Sequence, residues 1–361
     1  MVLTTSYSPY FPGSLFLLSS WYTRKELALR TSILYAGSLL SGGFGGLIGA
    51  GVQHGLNGAK GLSSWRWLFI IEAAITVAIA VVALFVLPDF PHTTKFLSGE
   101  EKAIATRRLV TQSGQGDTER GPILSGIKMA VVDYKVWLLA LIVITKTSAG
   151  AVTSFIPTLV ATLGYSKVTS LLLVAPPYVF ATVVALAVAY SSDKMGERCF
   201  HITIPVIFGM IGYIIAASTL NFTARYVSLF LMLGGVYGSY NVALAWISST
   251  LPRPIEKRAA AIAMVNTIGN FAQIYSPYLY PSSNGPRYLK AMIANACFCV
   301  CCAGATILLR FCLANENKRL AAMEAQNANE SSAEKAAVEE IIDIASPGGI
   351  VVLAQGFRYA L

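Results

Sequence analysis

Two ionisable side chains stand well inside apolar stretches of this chain, and both could do chemistry that depends on charge. Lys146 sits near the middle of WLLALIVITKTSAGAVTSFIPTLV (137–160). At 1.5 Å per residue it is about 15 Å deep, close to the midplane of a bilayer. A lysine there costs roughly 2.5 kcal/mol or more on insertion scales, so a carbonyl, an acid, an anion or water must offset it. Glu72 lies in WRWLFIIEA (65–73), about 8 Å below the nearer surface by the same rise. An acid at that depth is a candidate proton carrier, and equally a group that folding requires. Both should face a bundle interior or water rather than lipid.

Amides form a second constellation. Asn266 and Asn270 are four residues apart and Gln273 three further, which places all three on one helix face. Asn241, in YGSYNVALAW, adds a similar group from the preceding apolar stretch, with Tyr237 and Tyr240 close by. Amides turned to lipid would be unsatisfied, so the stripe faces either another helix or a cavity.

Other chemistries find little support. Four of the six cysteines cluster in CFCVCC (Cys297, Cys299, Cys301, Cys302) inside an apolar run, where they read as small packing residues. His54, His92 and His201 have no partner at metal-ligand spacing. No intramembrane cluster has catalytic spacing and no phosphate-cradling loop appears, so neither an enzyme nor a cofactor is expected. The net charge of +9 resides in loops between apolar runs, which points to membrane orientation rather than nucleic acid.

The elements that must position these residues follow from composition. The chain is 55% hydrophobic and only 12% charged, against about 25% charged for soluble proteins. It reads as an all-α integral membrane protein. Nine spans are expected: Pro9 to Tyr22, Thr31 to Val52, Trp67 to Leu87, Val136 to Leu159, Leu171 to Tyr190, Phe200 to Leu220, Tyr226 to Trp246, Ala259 to Tyr280 and Leu289 to Leu313. Twenty of the 27 Lys and Arg residues fall in one set of alternate loops and six in the other. That bias predicts a cytoplasmic C-terminus and an outer N-terminus. MVLTTSYSPYFPG lacks a basic n-region and is not read as a cleavable leader. FLSGEEKAIATRRLV predicts a surface helix capped by Ser98, with Glu101 completing a capping box. The Ala/Glu-rich tail from Asn315 reads as a frayed helix or disorder.

Several stretches carry a resemblance: FPGSLFLLSSWYTRKELALR (11–30), WRWLFIIEA (65–73), LPDFPHTTKFLSGEEKA (87–103), PPYVFA (176–181), SDKMGERCFHI (192–202), KRAAAIAMVNTIGNFAQIYSPYLYPSSNGPRY (257–288) and GFRYAL (356–361). Together they resemble the major facilitator superfamily, and within it the fungal anion:cation symporters of the allantoate permease-like group. The resemblance implies a major facilitator fold with about nine of twelve transmembrane helices and an incomplete N-terminal six-helix half. On that alignment the first three spans are absent, 1–88 is a partial N-terminal bundle and 89–134 a cytoplasmic linker. Residues 135–314 form the C-terminal six-helix bundle and 315–361 a cytoplasmic tail.

The resemblance also implies roles. SSDKMGER (191–198) looks like the superfamily's short cytoplasmic-loop motif, with Asp193 as the acid and Lys194 and Arg198 as cations whose ties break and remake as the bundles rock. A solvated basic turn is the plainer alternative. The substrate would be a small organic anion such as allantoate, nicotinate or pantothenate, met near the midplane by Lys146 and the amides Asn241, Asn266, Asn270 and Gln273. Glu72 would carry the coupled proton. The expected setting is a monomer in the plasma membrane. A truncated, transport-incompetent fragment, or a sensor or interaction protein, is the alternative. The glycine pairs Gly42/Gly46 and Gly45/Gly49 suggest close helix packing at a seam. The Pro176–Pro177 pair suggests a kink.

Overall fold

The computed structural model describes all residues except 1–9, 23–25, 92, 95–96, 114–122, 162–166, 252–253, 286, 331–341, 347–348 and 354–357. The described residues are nearly all helical. Each of the nine expected spans coincides with one or more helices. Seven are long and apolar enough to cross a membrane. The exceptions are α1 (Tyr10–Trp21), with only 12 residues, and α12 (Ile255–Asn270), which is followed by a break and the short α13 (Ala272–Tyr275).

Before the connecting region stand α1, α2 (Leu27–Gly55) and α3 (Ser64–Val86). The connecting region holds α4 (Gly99–Ser113) and α5 (Ile123–Val132). After it come α6 (Tyr134–Gly150), a 3-10 turn (Ala151–Phe155), α7 (Ile156–Ala161), α8 (Lys167–Met195), α9 (Cys199–Ser218), α10 (Phe222–Gly238), α11 (Tyr240–Thr250), α12, α13 and α14 (Leu289–Glu330). Helix α14 carries on through the first part of the tail, and an antiparallel hairpin of β1 (Ile342–Ser346) and β2 (Gly349–Leu353) follows it. The helix through 315–330 agrees with the frayed-helix reading of the tail, whereas the hairpin was not expected. The rest of the tail lies largely outside the described residues.

The capping box forms as its spacing predicts. Ser98 N–H donates to Glu101 Oε2 at 2.9 Å, Ser98 Oγ donates to the same oxygen at 3.0 Å, and Glu101 N–H donates to Ser98 Oγ at 3.3 Å. These bonds, the backbone one foremost, hold the Glu101 carboxyl below the usual glutamate value. A lowered pKa means the box is intact above the ordinary carboxylate range and is lost as pH falls through the lowered value. The protection factor of the amides at the start of α4, their exchange corrected for the intrinsic pH dependence, should therefore fall on acidification. Glu101→Gln should remove that dependence.

Helix α5 is not a free linker. Ala130 is fully buried, and a Cβ added at Gly126 would lie 2.6 Å from Glu256 Cβ and 2.7 Å from its backbone carbon. The absence of a side chain is what lets α5 lie on the start of α12.

The glycine-rich helix α2 meets α8. Only one of the two glycine pairs makes this contact: a Cβ at Gly42 would meet the Tyr178 ring at 2.5 Å, and one at Gly46 the Leu171 carbonyl at 3.0 Å. Gly45 and Gly49 have nothing within 4 Å. The helical assignment of α8 runs unbroken through Pro176 and Pro177.

The ends of the bundle differ. At the end where α6, α9 and α12 begin, Asp133 pairs with Lys257 at 2.7 Å and Lys135 with Glu316 at 2.6 Å. Glu197 there holds Arg310 at 2.7 Å and His201 at 3.0 Å. At the opposite end Phe155 stacks on Tyr280 at 4.1 Å, and Asn295 Nδ2 donates to the Tyr280 hydroxyl at 2.7 Å.

Candidate functional site

The site is organised by interruptions in three spans. Helix α6 stops at Gly150 and becomes a 3-10 turn, and α10 and α11 are separated by Ser239. Between α12 and α13 the irregularity at Phe271 is slight, with helical backbone angles and its N–H still donating to the Thr267 carbonyl at 3.3 Å. An interruption inside a membrane frees carbonyls that must be satisfied by other groups. Here tyrosines do much of this. Tyr213 OH donates to the Ala149 carbonyl at 2.6 Å and Tyr237 OH to the Gly150 carbonyl at 3.0 Å. Gly150 is needed for the second contact, since a Cβ there would lie 2.9 Å from the Tyr237 hydroxyl.

Lys146 points at the second interruption. Its ammonium donates to Ser239 Oγ at 2.5 Å, and Ser239 Oγ in turn donates to the Gly235 carbonyl at 3.3 Å. The cation therefore stands beside Ser239, which both ends α10 and starts α11, so the opposed dipoles of the two helix ends largely offset each other there. Lys146 is 1% exposed, and no carboxylate among the described residues pairs with it. Cys302, whose thiol faces the Ile142 carbonyl at 3.9 Å, and Cys299 are its other near neighbours, both as free thiols. Cys297 and Cys301 are exposed on other faces of α14.

The amides divide. Asn241 is fully buried two residues beyond Ser239, and neither atom of its amide has a hydrogen-bond partner among the described residues. Tyr240, between them, reaches Thr147 on α6 and Tyr35 on α2 with its hydroxyl, and its ring lies 5.1 Å from that of Tyr35. Asn266, Asn270 and Gln273 form a separate group. Asn270 Nδ2 donates to the Asn266 carbonyl at 2.8 Å and to its Oδ1 at 3.3 Å, just before the third interruption, and both Asn270 and Gln273 are exposed. The structure brings Lys146 and Ser239 together, and sets Asn241 two residues further along the chain.

Glu72 lies apart from all of these. It is exposed on α3, a helix with no buried residue, and faces no bundle interior among the described residues. The interior position expected from its depth in the span is not where this structure puts it. The motif residues are tighter. Asp193 Oδ1 pairs with Arg198 Nη1 at 2.7 Å, and Oδ2 accepts from Leu29 N–H at 2.6 Å. Leu29 lies in the first turn of α2, where N–H groups have no partner within their own helix. A carboxylate there is favoured by the dipole as well. Asp193 thus ties the α8–α9 turn to a helix that precedes the connecting region. Lys194 is exposed.

Ser239, Tyr213 and Gly150 were not among the residues singled out by sequence. The signal for the first was present: a Gly-Ser pair, at 238–239, is one of the few sequence causes of a sharp helix break. Hydropathy alone passes over it.

The Major Facilitator Superfamily sequence profile matches residues 2–277. The chain is 34% identical over 294 residues to the MFS-type transporter cnsO of Penicillium expansum, covering 77% of this chain and 56% of that protein. It is 31% identical over 318 residues to the major facilitator-type transporter hxnP of Emericella nidulans, covering 86% and 63%. It therefore spans less than two thirds of these relatives' length. The solved structure of the proton:xylose symporter XylE, bound to 6-bromo-6-deoxy-D-glucose, superposes with a TM-score of 0.62 over 82% of this chain and 65% of that one, at 16% identity. A likeness at that identity speaks for the fold alone, and it agrees with the profile match and the multi-pass helical architecture: this chain belongs to the Major Facilitator Superfamily.

Proposed function

We propose that the chain belongs to a secondary transporter for small organic anions of the carboxylate or vitamin-like kind, of the allantoate permease-like group, working by alternating access. The observation that carries this reading is Lys146. Its buried ammonium meets a neutral hydroxyl, an arrangement that an incoming carboxylate would complete electrostatically. The unpaired amide of Asn241, two residues along the chain from Ser239, would offer a donor and an acceptor, and the Asn266, Asn270 and Gln273 group lies near the third interruption. The Asp193 contacts with Arg198 and Leu29 would be the tie that rocking must break. The motif loops would face the cytoplasm, as the charge bias expects.

The test is uptake of labelled allantoate, nicotinate and pantothenate in cells expressing the chain, alone and extended to its relatives' length. Lys146→Gln should cut anion uptake at least tenfold, equivalent to about 1.4 kcal/mol. Lys146→Met should hold or raise the melting temperature, because replacing a buried charge by an apolar group of similar size is often neutral or stabilising. Undiminished uptake by Lys146→Gln would sink the reading. Marked loss of stability in Lys146→Met would make Lys146 a structural tie instead. Proton coupling rests on the family resemblance. It would be read as uptake that rises at lower external pH and loses that dependence in Glu72→Gln. A second reading, in which the 361-residue chain does not transport by itself, is favoured by the lack of any buried residue on α3. Uptake only by the extended chain would establish it.

A further inference from the structure

Residues 358–361 lie against the ion-paired end of the bundle and are held there by directional contacts. The Asn317 side chain brackets Tyr359: Nδ2 donates to the Tyr359 carbonyl at 3.0 Å, and Tyr359 N–H donates to Oδ1 at 2.8 Å. The Lys135 ammonium lies 4.6 Å from the centre of the Tyr359 ring and donates to its hydroxyl at 3.3 Å. Trp246 Nε1 donates to the Ala360 carbonyl at 3.0 Å. The Leu361 carbonyl accepts from Arg198 N–H at 2.5 Å and from Cys199 N–H at 3.3 Å, at the start of α9. Tyr359 and Leu361 also pack on the hydrophobic core. Groups from α6, α9, α11 and α14 thus converge on three consecutive residues.

This is how a groove reads a peptide: backbone contacts supply affinity, and a pocket for a chosen side chain supplies specificity. A merely adjacent tail would not have its N–H and carbonyl both taken by one amide. We propose that this end of the bundle is a peptide-binding groove whose ligand is the chain's own Tyr359-Ala360-Leu361 segment, tethered by residues 331–357. Its occupancy fixes the start of α9, from which Arg198 clasps Asp193. Tethering raises the local concentration of such a ligand to the order of millimolar, so weak intrinsic affinity suffices to keep it docked. The groove does not depend on which solute is carried.

Hydrogen exchange on the purified full chain tests this, read at the amides of Arg198 and Cys199. Tyr359→Ala should speed exchange there at least tenfold while the apolar spans keep their protection. Added peptide GFRYAL should restore protection, and GFRAAL should not. Asn317→Ala, which alters the groove rather than its ligand, should show the same gain and need at least tenfold more GFRYAL for rescue. Unchanged exchange in both variants would overturn the proposal. So would equal rescue by the two peptides, rescue by neither, or a rise spread over all helices.

Discussion

Asp133→Ala should destabilise the folded bundle by about 3–5 kcal/mol, the range for removing one partner of a buried ion pair. Asp133 is fully buried and its partner Lys257 is 3% exposed, so neither charge has water to fall back on. The contact at 2.7 Å is ionic rather than an aligned hydrogen bond, since Oδ2 takes no donor in line. The other oxygen caps α6 by accepting from Lys135 N–H at 3.0 Å, so the variant also loses an N-cap worth about 1 kcal/mol. Thermal unfolding in detergent reads the effect. The double variant Asp133→Ala, Lys257→Met should recover most of the loss, because it removes the stranded charge as well. A loss below about 1 kcal/mol in the single variant would mean that water reaches Lys257.

Gly235→Ala should be the most damaging single-methyl change in the bundle. An added Cβ would collide with Gly209 N, lie 2.5 Å from the Pro205 carbonyl oxygen and 2.6 Å from Gly209 Cα. All three are backbone atoms, so no rotamer change relieves the clash and α9 must move away from α10. Overpacking of this kind costs roughly 1–3 kcal/mol, against a helix-propensity gain of about 1 kcal/mol for alanine over glycine. The loss should also reach the Lys146–Ser239 contact, because Gly235 carries the carbonyl that accepts from Ser239. Gly45→Ala is the matched control: nothing lies within 4 Å of its added Cβ. It should be neutral or stabilising by up to about 1 kcal/mol. Equal melting temperatures for the two variants would show that α9 and α10 do not cross this closely.

Apolar run length and loop charge made the nine helical segments legible, because both follow from the cost of putting backbone and charge into hydrocarbon. The Ser98–Glu101 box was legible because its partners are three residues apart. The interruptions were not. Hydropathy averages over some twenty residues and cannot register one non-helical residue such as Ser239. What makes the break tolerable comes from elsewhere, as when Tyr213 satisfies Ala149 across 64 residues of chain. Depth in a span also says nothing about azimuth. Depth put both Lys146 and Glu72 inside the hydrocarbon and so predicted an interior face for each, yet one is buried against Ser239 and the other is exposed on α3. The same holds for the end of GFRYAL: sequence marks the stretch as a resemblance, and only the fold seats Tyr359 against Asn317 and Ala360 against Trp246.

The two ends of the bundle, one held by ion pairs and the other by Phe155 stacked on Tyr280, should respond oppositely to heat. The penalty for dehydrating charge shrinks as temperature rises, whereas apolar stabilisation per unit area levels off. Warming therefore strengthens the ion-paired end relative to the stacked end, and thermal energy is spent first where the rings meet. The bundle thus carries a thermal bias toward loosening first at the end where Phe155 meets Tyr280.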